Sequence, residues 1–262
     1  MLVRIMSDLH LEFGQFDPGE GDVLILPGDI CTASSYHFRG EEMYQERYQQ
    51  FFETVVSRYD KVFYVMGNHE YYNFYWSETE RVLRENLPEG IILLENQVEK
   101  HRGWSFLGTT LWSNFEDGSQ ESMATCQELM NEYRCVELCP ESHGFVTPDD
   151  VRRRHRDARQ WLDETLEKRN GPCFVITHHC PSFKSIEAGY RESDTLGAYA
   201  SNVEDIIEKH DHLKVWAHGH VHCNNNYLLH GTKVLSNPRG YYNEDENHNF
   251  KPDLQLDLDL LQ

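Results

Sequence analysis

The chain has 262 residues, of which 44 are Asp or Glu and 24 are Lys or Arg, so its formal net charge at pH 7 is −20. A surface of that charge repels nucleic acid and anionic membranes at long range, which disfavours a duplex-binding protein. No apolar run reaches the ~18 residues of a membrane span, and the N-terminal residues lack the features of a signal peptide. Seven cysteines, an odd number without a CxxC pair, favour reduced thiols, so we expect a cytoplasmic protein.

Short β-rich runs recur along the chain, and several of them are continuously apolar rather than alternating. The predicted strands are residues 2–6, 22–27, 61–66, 90–96, 104–110, 173–177, 214–217, 226–230 and 232–236, with a last alternating strand in 254–260. Continuously apolar runs are typical of strands that are covered on both faces.

Helical patterns lie between these strands. Residues 41–59 place aromatic residues and a valine on one stripe. Residues 77–86 and 201–210 each begin with Ser and carry Glu three residues later, which is the spacing of a capping box. Thr147 is the clearest helix start, because a proline and two acids follow it, and we expect that helix to run to about Lys168. Strands that alternate with helices predict an α/β layered fold.

Residues 113–146 interrupt this alternation, since they contain few β-rich runs. We predict a cap-like excursion there, with a helix near 122–138. The chain has no internal repeat and no low-complexity tract, so we expect the excursion to belong to a single domain that spans residues 1–262.

Five of the predicted strands are followed directly by residues that can bind a metal or transfer a proton. These residues are Asp8 and His10, then Asp29, then Asn68 and His69, then His178 and His179, and finally His218, His220 and His222. In open α/β sheets, sites form outside the carboxyl ends of the strands, so these five ends could converge in one place. On an extended segment, Asp8 and His10 would point the same way because they are two residues apart.

The residue types indicate a site for two divalent metals. Seven side chains are the expected ligands: Asp8, His10, Asp29, Asn68, His178, His220 and His222. Oxygen and imidazole ligands without thiolate suit Mn, Fe, Zn or Co. If Asp29 bridges, each metal receives protein ligands and still keeps a position for water or substrate, as catalysis requires.

The same residues lie in five short motifs, which in chain order are DLH (8–10), GD (28–29), GNHE (67–70), THH (177–179) and GHVH (219–222). This set resembles the calcineurin-like metallophosphoesterase superfamily over residues 1–240, in particular a bacterial-type single-domain member. The resemblance implies an α/β fold, namely a two-sheet β-sandwich flanked by helices, with the active site at the C-terminal ends of the strands.

The resemblance also implies roles for these residues. Asp29 would bridge two metal positions, each completed by three further side chains: Asp8, His10 and His222 at one, and Asn68, His178 and His220 at the other. A hydroxide that bridges the metals, for which manganese is favoured, would attack phosphorus in line with the leaving oxygen. His69 would face the leaving group as a catalytic residue and stabilise or protonate that oxygen. The alternative is a His69 that only supports the ligands.

Arg134 in the excursion and Arg239 in the stretch NPRGY are candidate substrate-binding residues, since guanidinium binds phosphate in a bidentate fashion. For each, a surface or structural ion pair is the alternative. The aromatic stretch 71–76 could form a pocket wall or pack on the sheet.

The function that we expect is metal-dependent hydrolysis of a phosphate ester, most consistent with a phosphodiesterase that acts on a small molecule or nucleotide. A phosphodiester has a poor alkoxide leaving group, which His69 would help to expel. A phosphomonoesterase is the first alternative. A nuclease would need an anion-attracting groove, which the net charge disfavours, and a non-catalytic scaffold would be expected to lose ligands that this chain keeps.

Overall fold

The alternating strands and helices build two main β-sheets, which a computed structural model describes over residues 1–261. The strands are β1 (Leu2–Ile5), β2 (Gly21–Pro27), β3 (Tyr59–Val65), β4 (Phe74–Tyr75), β5 (Ile91–Leu93), β6 (Gln97–His101), β7 (Trp104–Thr109), β8 (Val136–Glu137), β9 (Cys173–Thr177), β10 (Leu213–His218), β11 (Asn225–Leu229), β12 (Thr232–Ser236), β13 (Gly240–Tyr241), β14 (Asp245–Glu246) and β15 (Gln255–Asp257). The helices are α1 (Glu42–Arg58), α2 (Thr79–Asn86), α3 (Phe115–Gly118), α4 (Gln120–Leu129), α5 (Glu132–Cys135), α6 (Pro148–Glu167), α7 (Leu196–Tyr199) and α8 (Glu204–Lys209). No helix in residues 1–261 combines the length and the hydropathy that a bilayer-spanning segment needs.

Both sheets are parallel at their centres and antiparallel at an edge. The first has the order β15-β1-β2-β3-β5, in which only β15 is antiparallel to its neighbour. The second has the order β11-β12-β10-β9-β7-β6, in which β11 and β6 are the antiparallel edges. Parallel strands bring their carboxyl ends to one edge of a sheet, so each sheet presents several strand ends together.

The two sheets pack face to face with helices on their outer faces. Side chains alternate along each strand, so in β2 Val23 and Ile25 point between the sheets, whereas Leu24 and Leu26 point outward. The outward face of the first sheet packs against α1, and that of the second packs against α6 and α8. Both faces of each sheet are therefore covered, as the continuously apolar sequences of the strands predicted.

The helix expected in the excursion at 113–146 is divided. Instead of one helix near 122–138, α4 ends at Leu129 and the four-residue α5 follows, because Met130 between them has an extended backbone (φ −85°, ψ 145°). Residues of this segment then pair with the main body through β8, which lies parallel to β4.

Of the three helix starts predicted from N-terminal capping residues, one is confirmed as a side-chain cap. The predicted helix start at Thr147 is confirmed, and the structure adds a capping box there: Asp150 N donates to Thr147 Oγ1, and Thr147 N donates to Asp150 Oδ2 at 3.0 Å. The two predicted capping boxes, at Ser77 and Ser201, are wrong, since α2 and α8 start without a side-chain cap. Ser201 instead accepts a hydrogen bond from Asn114 N at 2.9 Å, a partner 87 residues away that local spacing cannot reveal.

We predict that Phe106→Ala destabilises the protein by about 3–5 kcal/mol, because the ring lies in the interior between the sheets. Phe106 is fully buried, and its ring stacks on Phe63 at 4.4 Å between centroids. Urea unfolding followed by circular dichroism measures the change. Phe145→Ala, at a side chain that is 46% exposed, is the control and should cost about 1 kcal/mol or less. Equal costs for the two variants would contradict the packing argument.

Candidate metal centre

The carboxyl ends of five strands from the two sheets bring the predicted ligands together. Asp8 and His10 follow β1, Asp29 follows β2, Asn68 and His69 follow β3, His178 follows β9, and His220 and His222 follow β10. All of them are buried except His222, which is partly exposed. Segments up to 214 residues apart in sequence therefore meet at one edge of the sandwich.

The ligand segments are strained rather than extended. Asp8, His10, Asp29, His220 and His222 have φ values of 50°, 43°, 55°, 73° and 37°, in the left-handed region that non-glycine residues rarely adopt. The expected convergence of the DLH and GHVH side chains occurs, but the reason based on an extended backbone is wrong. Such backbone strain persists only where the surroundings enforce it, and it concentrates at functional sites.

The converging side chains form two groups that Asp29 connects. In each group the candidate donor atoms lie within 4.8 Å of one another: Asp8, His10 and His222 in one, and Asp29, His178 and His220 in the other. Asp29 Oδ1 lies 3.4 Å from His178 Nε2, and its Oδ2 lies 3.8 Å from His10 Nε2. Each carboxylate oxygen of Asp29 thus faces a different group, as a bridging ligand requires.

The hydrogen bonds around His178 test whether this arrangement fits a cation. Its Nδ1 donates to the carbonyl oxygen of Pro27 at 2.8 Å, so Nε2 is the nitrogen that can bind either a proton or a metal ion. That Nε2 faces Asn68 Oδ1 at 2.9 Å and Asp29 Oδ1, so a cation at this position would meet one ring nitrogen and two oxygens. Burial alone would lower the pKa of His178, but Asp29 raises it to about 9, because its carboxylate stabilises positive charge on the ring. The residues present therefore fit a divalent metal ion.

Glu132, in the excursion, orients Asn68 and was missed by the sequence analysis. Its Oε1 accepts a hydrogen bond from Asn68 Nδ2 at 2.7 Å and another from the Tyr72 hydroxyl at 2.9 Å. Because the amide nitrogen of Asn68 is held by Glu132, its oxygen Oδ1 turns towards His178. No local motif marks Glu132, since it reaches the site only through the fold of the excursion.

Glu70, the last residue of GNHE, holds the turn that carries Asp29. Its carboxylate accepts hydrogen bonds from the backbone N–H groups of Gly67, Asp29 and Ile30 at 2.5–3.1 Å and from the Tyr64 hydroxyl at 2.6 Å. Burial and the Asp29 carboxylate raise the pKa of Glu70 to about 7, although these donors favour its ionised form. A Cβ atom at Gly67 would collide with Asp29 Oδ1, which explains the glycine before Asn68.

His69 lies beside the ligands with both ring nitrogens held. Its Nδ1 is 3.2 Å from Glu12 Oε1, its Nε2 is 3.2 Å from the Tyr241 hydroxyl, and its ring stacks on Tyr72 at 4.2 Å. Burial alone would lower the pKa of His69, but Asp29 and Glu12 raise it to about 9. His69 also lies close enough to His10 and Asp29 to form a third group with them.

Glu12 is a second residue that the sequence analysis missed. Its Oε1 is shared between His69 and His10 Nδ1, at 3.2 and 3.3 Å. Burial alone would raise the pKa of Glu12, but the hydrogen bonds with these two histidines hold it at about 2. The spacing of the segment could have revealed Glu12, because it follows His10 by two residues, just as His10 follows Asp8.

The remaining predicted residues belong to neither group, although the His179 ring lies 4.3 Å from that of His220 between centroids. His179 packs on Trp112 at 5.1 Å between ring centroids, and His218 is held by Gly219 O and Ser185 Oγ. Arg134 is exposed on α5. The Arg239 guanidinium stacks on Phe16 and Tyr242. Neither arginine lines the cleft that opens above the metal-ligand groups.

A cleft of about 710 Å³ opens above the metal-ligand groups. Its base includes ligand residues, and its walls come from the end of α4, the loops after β9 and β10, and residues 241–249. Its lining includes four acids, four tyrosines and three aliphatic residues: Glu132, Glu187, Asp245 and Glu246; Tyr72, Tyr190, Tyr199 and Tyr241; and Leu129, Ile186 and Leu196. No Lys or Arg of residues 1–261 lines it.

Comparisons with known proteins agree with this geometry. The sequence model of the calcineurin-like phosphoesterase family matches residues 1–224. An uncharacterized protein of Acanthamoeba polyphaga mimivirus is 26% identical over 283 residues, which cover 99% of this chain and 98% of the viral protein. Phosphopantetheinyl hydrolase (PptH) from Mycobacterium tuberculosis has a TM-score of 0.64 at 17% identity, with coverage of 91% of this chain and 89% of that chain. A dimetal phosphatase from Danio rerio has a TM-score of 0.52 at 14% identity, with coverage of 90% and 86%.

The chain belongs to the calcineurin-like phosphoesterase family, as the five motifs indicated. It is a metal-dependent phosphoric ester hydrolase. The expected fold of sheets flanked by helices is confirmed, and the two groups of His and Asp residues suit a dinuclear divalent metal centre.

We predict that Glu132→Ala weakens binding of one of two Mn²⁺ ions by about 10- to 100-fold, because the amide of Asn68 then loses the acceptor that orients it. Titration of metal-depleted protein in competition with a chelator measures both affinities. Glu128→Ala, on the same excursion and exposed, is the matched control. Unchanged affinity for both ions in Glu132→Ala would contradict the orienting role.

Proposed function

We propose that this protein is a dinuclear phosphodiesterase that acts on a small molecule or nucleotide. The observation that carries the proposal is the composition of the cleft. Its base contains residues of the metal-ligand groups, and no Lys or Arg of residues 1–261 lines its walls. We assign Asp8, His10 and His222 to one metal and Asn68, His178 and His220 to the other, with Asp29 between them. Nitrogen and oxygen donors without thiolate suit Mn, Fe, Zn or Co, and we propose manganese among them.

The charge of the cleft favours a diester over a monoester. A phosphodiester carries one negative charge, whereas a phosphomonoester near neutral pH carries up to two and is commonly held by additional Arg or Lys side chains. Here the walls supply carboxylates, and the Arg239 guanidinium instead lies 3.8 Å from Glu246 and stacks on aromatic rings. Two divalent cations suffice for the single charge of a diester. A nuclease is disfavoured for the same reason, because a polyanion would meet no basic wall.

The chain's own residues complete the chemistry. Bound cations would supply a nucleophile near neutral pH and offset charge on the phosphoryl oxygens. His69 faces the cleft with its ring fixed by Glu12 and Tyr72, so its Nε2 would donate a proton to a leaving oxygen that takes the place of the Tyr241 hydroxyl. Glu70 keeps Asp29 between the two groups while this happens.

We also propose that residues 113–146 form a cap within one domain. Two contacts support this proposal, because Leu129 lines the cleft and Glu132 is hydrogen-bonded to Asn68. The seven cysteines are free thiols, which is compatible with the cytoplasmic location that we propose.

We predict that chelator-treated protein loses hydrolysis of bis(p-nitrophenyl) phosphate and regains it with Mn²⁺. Asp29→Asn should lower kcat/KM by about 10²-fold or more, because each metal loses a shared anionic ligand. Asp211→Asn, at an exposed position, is the matched control. Faster hydrolysis of p-nitrophenyl phosphate than of the diester would favour the phosphomonoesterase instead. Absence of metal-restored activity on both substrates would contradict the proposed function.

We predict that His69→Ala affects poor leaving groups most. Diphenyl phosphate should lose about 10²–10⁴-fold in kcat, since phenolate needs protonation, whereas bis(p-nitrophenyl) phosphate should lose much less. Parallel kinetics on the two diesters measure the difference. Equal losses on both would show that His69 supports the ligands rather than the leaving group.

A further inference from the structure

The walls of the cleft combine carboxylates with tyrosine rings. The acids are Glu132, Glu187, Asp245 and Glu246, and the tyrosines are Tyr72, Tyr190, Tyr199 and Tyr241. Asp29 also reaches the cleft, but it belongs to the metal-ligand groups. These carboxylates would repel the phosphate of the substrate, which is also negatively charged. They are therefore suited to contact another part of the substrate.

The carboxylates of the cleft walls are incompletely paired within residues 1–261. The Glu187 and Asp245 carboxylates form no ion pair there, and Glu246 has only the Arg239 contact at 3.8 Å. Glu132 is 5% exposed, and its Oε2 is buried without a hydrogen-bond partner. A buried carboxylate oxygen without a donor is costly, and a positively charged ligand group nearby would offset part of that cost electrostatically.

The aromatic and aliphatic residues indicate the shape of that ligand. Tyr190 is 68% exposed and Leu129 is 54% exposed, and both lie on the cleft wall with Ile186 and Leu196. Exposed apolar side chains beside a site are typical of binding surfaces. Tyrosine faces attract ammonium and quaternary ammonium groups through their quadrupole, and nearby carboxylates add to this attraction.

We propose that the cleft selects phosphodiesters whose alcohol arm ends in an ammonium group on a short alkyl chain. This inference rests on the proposed phosphodiesterase function and names its substrate class. The phosphate binds at the metal-ligand groups, the alkyl chain lies along the aliphatic wall, and the cation meets Glu187, Asp245 and the tyrosine rings. An anionic arm is repelled by the same carboxylates.

Three p-nitrophenyl phosphodiesters that differ only in the other arm test the inference. The arms are choline, its uncharged isostere 3,3-dimethylbutanol, and the anionic 4-hydroxybutanoate. Release of p-nitrophenolate by the Mn²⁺-loaded protein gives kcat/KM for each. We expect the choline ester to exceed the isostere by about 10-fold and the anionic ester to be the poorest substrate. An isostere hydrolysed as well as or better than the choline ester would overturn the inference.

Variants distinguish the effect of the cleft carboxylates on selectivity from the effect of the overall negative charge of the protein. Glu187→Gln and Asp245→Asn should each lower the choline-to-isostere ratio of kcat/KM, and the double variant should bring it close to one. Glu164→Gln removes the same charge from an exposed position on α6 and should keep the ratio of the wild type. Equal changes in all three single variants would attribute the preference to the net charge and overturn the role of the cleft.

The same experiment distinguishes this inference from the function on which it rests. Hydrolysis of bis(p-nitrophenyl) phosphate without arm selectivity would contradict the substrate class alone. If no diester is hydrolysed, the proposed function fails, and calorimetry on the Mn²⁺-loaded protein then compares phosphocholine with 3,3-dimethylbutyl phosphate. Tighter binding of phosphocholine would support the cation site, and equal affinities would overturn it.

Discussion

The hydrogen bonds of one buried carboxylate hold the centre of this molecule together. Glu70 collects backbone N–H groups from the end of β3 and from the turn after β2, together with the Tyr64 hydroxyl. These bonds compensate the left-handed backbone of Asp29 (φ 55°), which otherwise costs about 1 kcal/mol or more. Asp29 can therefore present one oxygen to each group of histidines. Without this turn, the two groups would share no carboxylate.

The metal positions and the excursion are coupled through one amide. Asn68 belongs to the strand-end motif GNHE, but the orientation of its side chain depends on Glu132, which the excursion supplies. Glu132 also lines the cleft, so a single residue contacts both the ligand that we assign to a metal and the space where substrate binds. A change in the excursion is therefore transmitted to the metal-ligand groups by direct hydrogen bonds rather than over a distance.

Prediction from the sequence succeeded where the physical signal is local or repeated. Apolar runs located the main strands, and the motifs after them located the residues that converge. It failed where polar residues determine the structure. The edge strand β6 (Gln97–His101) has no apolar run and was not predicted. Ser201 accepts a hydrogen bond from Asn114 N instead of capping a helix. The helix expected near 122–138 is divided because Met130 is extended, and helix propensity does not encode that change.

The sequence by itself determined the family, the order of the strand ends and the kind of donors placed there, because these depend on residue type and on short spacings. The tertiary structure alone decided that Glu12 and Glu132 reach the ligand histidines and Asn68, and that Arg239 stacks on aromatic rings outside the cleft. It also decided that acids and tyrosines, with no Lys or Arg of residues 1–261, form the cleft walls. Those contacts join side chains from irregular segments far apart in the chain, whose positions no periodicity specifies.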